Sequence, residues 1–306
     1  MTTSPETVQV QQQAEPVEVV TKPKRQKVEK PKPVAFTWNL AAYSFLEVVK
    51  AVDAVINYGA KANESTEITF EVGENGISLC QLDSSRVSMI DFALAKTGFN
   101  EYNLMNGGKV CFNAKDILAV LAGVKQDRHD SDGTLKTEGE KLLLTLENGV
   151  DLTLDIQHSE YNRTFTLKAI EPSQEETPPT PKIDFKTTFK IEKDRLLKIL
   201  KDAEKVASGH VTIIAEENNV TFKTDSADTA RKFETVLPKS EKLLDLTIIE
   251  PAKATYNLDL LKTMIENVPK DTAAITISYS KDMPMLLETG QYEKLRLFLA
   301  PVEMDD

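Results

Sequence analysis

Residues 67–82 read EITFEVGENGISLCQL, and residues 210–224 read HVTIIAEENNVTFKT. In each, two runs of alternating apolar and polar residues flank a short polar break, Glu74-Asn75-Gly76 in the first and Glu217-Asn218-Asn219 in the second. Such alternation predicts half-buried strands, and Asn-Gly between two of them is a hairpin signal. The spacing predicts strands over 67–72 and 77–82, and again over 210–215 and 220–224. The same order of elements surrounds both hairpins. Before the first lie a short strand (36–40) and a helix (44–58). Its apolar face carries Phe45, Val48, Val52, Val55 and Ile56, and Ser44 with Glu47 reads as a capping box. Before the second lie a strand (185–191) and a helix (193–207) with Leu196, Leu197, Leu200, Ala203 and Val206 as its core stripe.

The parallel continues downstream. Residues 109–112 lead into a helix capped by Asn113, with Ile117, Leu118, Leu121 and Val124 on one face, and strands follow at 141–146 and 150–156. Residues 252–256 lead into a helix capped by Asn257, with Leu260, Leu261, Met264, Ile265 and Val268, and strands follow at 274–279, 285–288 and 295–299. Each half is therefore two copies of strand, helix and several strands. The expectation is an α+β layer architecture, a four-fold pseudo-repeat with four amphipathic helices and antiparallel sheets.

The boundaries follow from composition. Residues 1–35 are polar and Pro-rich with no hydrophobic period, the mark of a disordered tail. A basic cluster (Lys22, Lys24, Arg25, Lys27, Lys30, Lys32) reads as a solvated arm, a DNA-touching arm or a nuclear address. Residues 36–168 form the first domain and 183–301 the second. Between them, 169–182 is an extended linker marked by Pro172, Pro178, Pro179 and Pro181 and an acidic patch. Residues 302–306 are a C-terminal tail.

With 306 residues the chain has room for two domains, and its 41% hydrophobic and 28% charged residues are those of a soluble protein. No apolar run approaches the ~18 residues of a membrane span, and no secretory segment opens the chain. Cys80 and Cys111 sit in apolar, strand-like runs and read as packed, reduced core thiols, which favours an intracellular compartment. A net charge of −11 speaks against a uniformly basic nucleic-acid binder, but placement matters more than the sum.

Catalytic chemistry finds no foothold. There is no Gly-rich phosphate loop, HExxH or CxxC, and His129, His158 and His210 fall in three different elements. His129-Asp130-Ser131-Asp132 has metal-ligand residue types but reads as a turn ending in Gly133. Ser84-Ser85 beside Asp83 reads as a strand-end turn. No catalytic, metal or cofactor residues are assigned.

The run 76–94, GISLCQLDSSRVSMIDFAL, and the closing MPMLLETGQYEKLRLFLAP resemble the signatures of the archaeal and eukaryotic sliding DNA clamps, the proliferating cell nuclear antigen (PCNA) family. The resemblance covers residues 36–306. Arg86 stands where the family usually has His, the linker lacks the aliphatic residues common there, and the long N-terminal tail falls outside the pattern. The resemblance implies a non-enzymatic ring of three subunits around duplex DNA, with helices lining the hole. A heterotrimer of related subunits is the alternative assembly. It also implies that DNA polymerase, clamp loader, flap endonuclease and DNA ligase dock by short hydrophobic-plug motifs.

The DNA-facing residues expected on this basis are Lys50, Lys115, Lys125, Lys198, Lys201, Lys205 and Lys262. Of these, Lys198, Lys201 and Lys205 share the face opposite the third helix's core stripe. The partner pocket expected comprises Leu82, Arg86, Val87, Pro284, Phe298, Ala300 and Pro301. Localisation would be nucleoid or cytoplasm in an archaeal or viral setting and nucleus in a eukaryotic one. Rival readings are an accessory or checkpoint-type clamp subunit, and an interaction scaffold that never encircles DNA.

Overall fold

The computed structural model describes residues 32–60, 66–172, 177–206, 209–226, 231–240, 243–290, 292 and 294–303. The basic cluster from Lys22 to Lys30 and linker residues 173–176 lie outside the described residues. The first half runs β1 (Ala35–Ala41), α1 (Ala42–Ile56), β2 (Glu67–Gly73), β3 (Gly76–Leu82), β4 (Ser88–Ala95), β5 (Glu101–Asn106), β6 (Gly108–Asn113), α2 (Ala114–Val120), β7 (Arg128–His129), β8 (Leu135–Thr137), β9 (Lys141–Leu146), β10 (Asp151–Gln157) and β11 (Asn162–Lys168). The second half runs β12 (Thr187–Glu192), α3 (Lys193–Glu204), β13 (His210–Glu216), β14 (Asn219–Asp225), β15 (Lys232–Pro238), β16 (Leu243–Ile248), β17 (Ala252–Asn257), α4 (Leu258–Asn267), β18 (Ala274–Tyr279), β19 (Met285–Glu288) and β20 (Lys294–Leu299). The fold is α+β, as the repeat predicts.

Three main sheets carry the chain. One has the order β11-β10-β9-β1-β5 and another the order β15-β14-β13-β17. The third, β16-β12-β18-β19-β20-β4-β3-β2-β6, takes strands from both halves, which meet where β20 pairs antiparallel with β4. Residues Pro33–Asp306 thus hold together as one compact unit. The helices lie in a row, α2–α1–α4–α3, so that α1 and α4 flank the same joint as β4 and β20.

The hairpins keep the predicted turns with one refinement. Pairing closes at Gly73 with Gly76 and at Glu216 with Asn219, so the loops are Glu74-Asn75 and Glu217-Asn218. Gly76 adopts φ +139, and a Cβ there would lie 2.1 Å from the Leu94 carbonyl oxygen, which explains glycine at the strand's first position. Asn113 caps α2 by accepting from the Lys115 and Asp116 amides, and Asn257 caps α4 by accepting from the Leu260 amide. Of His129-Asp130-Ser131-Asp132, His129 ends β7 and pairs with Leu135, while the other three lie in the turn of the β7–β8 hairpin, with the Thr134 amide donating to the Asp132 carboxylate.

Some expectations are corrected. The capping box at Ser44 does not form. Helix α1 starts earlier, at Ala42, with Ala41 as an N-cap that makes no side-chain bond. This places Glu47 in the helix interior, where it is buried against the other half. It accepts from the Lys270 amide at 2.9 Å and pairs with Lys50 at 3.5 Å. Nearby, the buried Lys193 ammonium donates to the Val268 and Pro269 carbonyls at the end of α4, and burial pulls its pKa down. Glu47→Ala is expected to lower unfolding stability by about 1–3 kcal/mol by orphaning the Lys270 amide, and Glu47→Gln to lose less. Equal urea midpoints for the wild type and Glu47→Ala would disprove that role. In α3 the buried stripe is Leu196, Ile199, Leu200 and Ala203, with Leu197 only half-buried. Cys111 is a core thiol, but Cys80 is half-buried on the outer face of the shared sheet.

Candidate functional site

The four helices bury their apolar sides on the sheets and turn their charged sides away. Lys198, Lys201, Lys205 and Lys125 are exposed, and Lys50, Lys115 and Lys262 are partly so. Lys125 lies beyond the end of α2, and Lys205 is the C-cap of α3. The lysines are not a bare cationic stripe. Lys201 pairs with Glu266 at 3.1 Å and Lys262 with Glu204 at 2.5 Å, linking α3 to α4, while Lys205 pairs with Asp202 at 2.7 Å. The Glu204 hydrogen bond raises the Lys262 pKa, and the Lys205 hydrogen bond lowers that of Asp202. Exposed pairs of this kind contribute about 0–1 kcal/mol.

On the opposite face of the shared sheet, side chains on alternate positions form a row across the joint. Leu286 on β19 lies opposite Phe298 on β20, Phe298 opposite Met89 on β4, and Met89 opposite Leu82 on β3. Met89, Leu286 and Phe298 are buried, and Cys80, Leu82 and Phe185 pack against them. Leu82 and Phe298 stand on either side of Met89 in this row. Val87 is exposed, and its carbonyl accepts from the Ala300 amide at 2.8 Å, which ties the β3–β4 turn to the C-terminal segment. Pro301 bridges to Tyr256, and the half-buried Pro284 precedes β19. Met89, Leu286, Phe185 and Cys80 were not anticipated; their signal is the two-residue period of strands whose pairing sequence alone does not give.

The Asp83-Ser84-Ser85 segment is a turn. The Asp83 carboxylate accepts from the Ser88 amide at 2.7 Å and from the Ser85 amide at 3.0 Å, and Arg86 adopts φ +59 at the rim. The linker crosses this face. Thr180 donates to the buried carboxylate of Asp91 at 2.9 Å, which is also paired with Lys294, and the Cys80 thiol donates to the Pro178 carbonyl at 3.2 Å. Burial, aided by Asp91, pushes the Cys80 thiol up, so it stays protonated and serves as a donor. A groove of about 720 Å³ remains between β3 and the linker, with Leu82, Asp83, Arg86 and Pro178 among its walls.

A doubly repeated α+β chain with a charged helical layer on one side, and on the other an apolar row beside a mixed polar groove under a linker, has the build of a clamp. The family model described as proliferating cell nuclear antigen, N-terminal domain, matches residues 59–176. The DNA polymerase sliding clamp of Methanococcus maripaludis is 30% identical over 262 residues, which cover 81% of this chain and 93% of that protein. That of Pyrococcus furiosus is 28% identical, covering 77% and 88%. The crystal structure of PCNA from Thermococcus kodakaraensis superposes with a TM-score of 0.74 at 21% identity, over 87% of this chain and all of that one. The chain belongs to the PCNA family of DNA polymerase sliding clamps.

Proposed function

We propose that the chain works as a DNA sliding clamp, a non-catalytic ring that encloses duplex DNA and tethers DNA polymerase. One observation carries the ring. The joint inside the chain pairs β4 with β20 and packs α1 against α4. In the repeat, β15 and α3 correspond to β4 and α1, and β11 and α2 correspond to β20 and α4. Among the described residues, β15 and β11 are edge strands of their sheets, each with one neighbour. Copies joined head to tail reproduce the internal joint between chains and remove these two open edges. Three chains supply six halves and twelve helices, the assembly implied by the family. The halves, 36–168 and 183–301, act as the two clamp domains.

Within such a ring, Lys50, Lys115, Lys125, Lys198, Lys201, Lys205 and Lys262 face the phosphates and make contacts without reading bases. Leu82, Arg86, Val87, Pro284, Phe298, Ala300 and Pro301, with Met89 and Leu286 beneath, receive the hydrophobic plugs of polymerase, clamp loader, flap endonuclease and ligase. Topological linkage tests the reading. Protein loaded on a nicked circle is expected to remain bound until the circle is linearised and then to be lost from the ends; equal loss from both forms counts against a ring. Phe298→Ala is expected to abolish calorimetric binding of a plug peptide while leaving assembly intact, since it opens the centre of the apolar row. Wild-type affinity in that variant would rule the pocket out.

A further inference from the structure

The internal joint also specifies the register of the joint between copies. In β3–β4, Leu79 lies opposite Phe92, and in β14–β15 the equivalent pair is Phe222 and Thr235. In β19–β20, Glu288 lies opposite Arg296, and in β10–β11 the equivalent pair is Asp155 and Thr164. Inside the chain, Phe92 faces Leu295 and Ile90 faces Leu297. Carried to the free edges, Thr235 of one copy faces Arg163 of the next, and Phe233 faces Phe165.

The first of these pairs changes character as a unit. Phe92 and Leu295 are both apolar and buried, whereas Thr235 and Arg163 are both polar. Arg163 is held for such a contact. One guanidinium nitrogen is paired with the buried carboxylate of Glu140, which also accepts from the Lys125 amide at 2.9 Å, and its Cζ lies 5.8 Å from the centre of the Tyr161 ring. Its Nε is buried and has no hydrogen-bond partner, one of three such side-chain atoms among the described residues. The side chain as a whole nevertheless keeps 30% of its surface exposed on the edge strand, where a second chain can meet it. Directly opposed residues of antiparallel strands have Cβ atoms about 4.5–5.5 Å apart, within reach of a hydroxyl and a guanidinium.

We infer that the Thr235 hydroxyl accepts a hydrogen bond from the Arg163 guanidinium of a second copy, giving the joint between copies a polar contact at the position where the internal joint pairs Phe92 with Leu295. The inference rests on the ring reading and names the residues that complete it. The test is dissociation on dilution, followed by light scattering without DNA. Thr235→Val keeps shape and strand preference but removes the acceptor, and is expected to dissociate at about tenfold higher concentration than wild type. Thr235→Ser is expected to assemble as wild type. A wild-type trimer with an equally tight Thr235→Val overturns the contact alone. A wild-type chain that is monomeric at every concentration overturns both the ring and the contact.

Discussion

Phe165→Asp is expected to convert the protein from a particle of about three times 34.1 kDa to one of a single chain, as measured by light scattering at micromolar concentration. Phe165 lies on the edge strand β11 and is 36% exposed in the isolated chain. Its neighbours at i−2 and i+2, Arg163 and Leu167, point toward the core side, while Thr164 and Lys168 pair with Asp155 and Asp151 on the other side. In the transferred register Phe165 meets Phe233, which packs against the core edge of the second half. An aspartate there would have to enter a closing apolar seam with no cation opposite it. Burying an unpaired carboxylate costs several kcal/mol, and a ring of three contains the fault three times. The loss of assembly is expected to exceed a hundredfold in concentration, well beyond the Thr235→Val effect. Because the side chain is at an edge, the unfolding midpoint of the separated chain should barely move. A trimer of undiminished stability in Phe165→Asp would remove β11 from the joint.

Legibility in the sequence followed how local each signal is. The strands with one buried face, such as β2, β9 and β10, alternate cleanly, and the two asparagine caps need only the residues two or three places on. Strand β4, SMIDFALA, is buried on both faces over its first five residues and shows no alternation. Strands β11 and β15 are edges with no fully buried residue, and β11 is mostly polar, so they carry little hydrophobic signal. Ser44 and Glu47 satisfied the capping-box spacing, but the chain enters the helix two residues earlier, and Glu47 is claimed by Lys270, 223 positions away. The same distance problem hid the groove. Leu82 and Phe298 were found at opposite ends through family resemblance. Met89, which lies between them, and Leu286, which lies beyond Phe298, belong to the row only through the pairings of β4 and β19.

Reversing charge at Lys198, Lys201 and Lys205 together is expected to shorten retention on nicked circles at least tenfold while the trimer persists. The three lie on the exposed side of α3 or at its C-cap, and a ring of three would bring nine changed side chains to the hole. Each lysine near a phosphate releases about one counterion, so retention of the wild type should fall steeply with salt, and the variant's dependence should be flatter. The carboxylates already present sharpen the expectation. Lys201 and Lys205 are paired with Glu266 and Asp202, so reversal creates like-charge neighbours as well as removing cations. Those neighbours repel phosphate in turn, which makes the effect on DNA larger than that of three alanines. It also makes assembly in the absence of DNA the necessary companion measurement, because α3 borders the β15 edge. An intact trimer with wild-type retention would exclude these lysines from the DNA face. An intact trimer with lost retention and a flattened salt dependence would place the phosphates against α3.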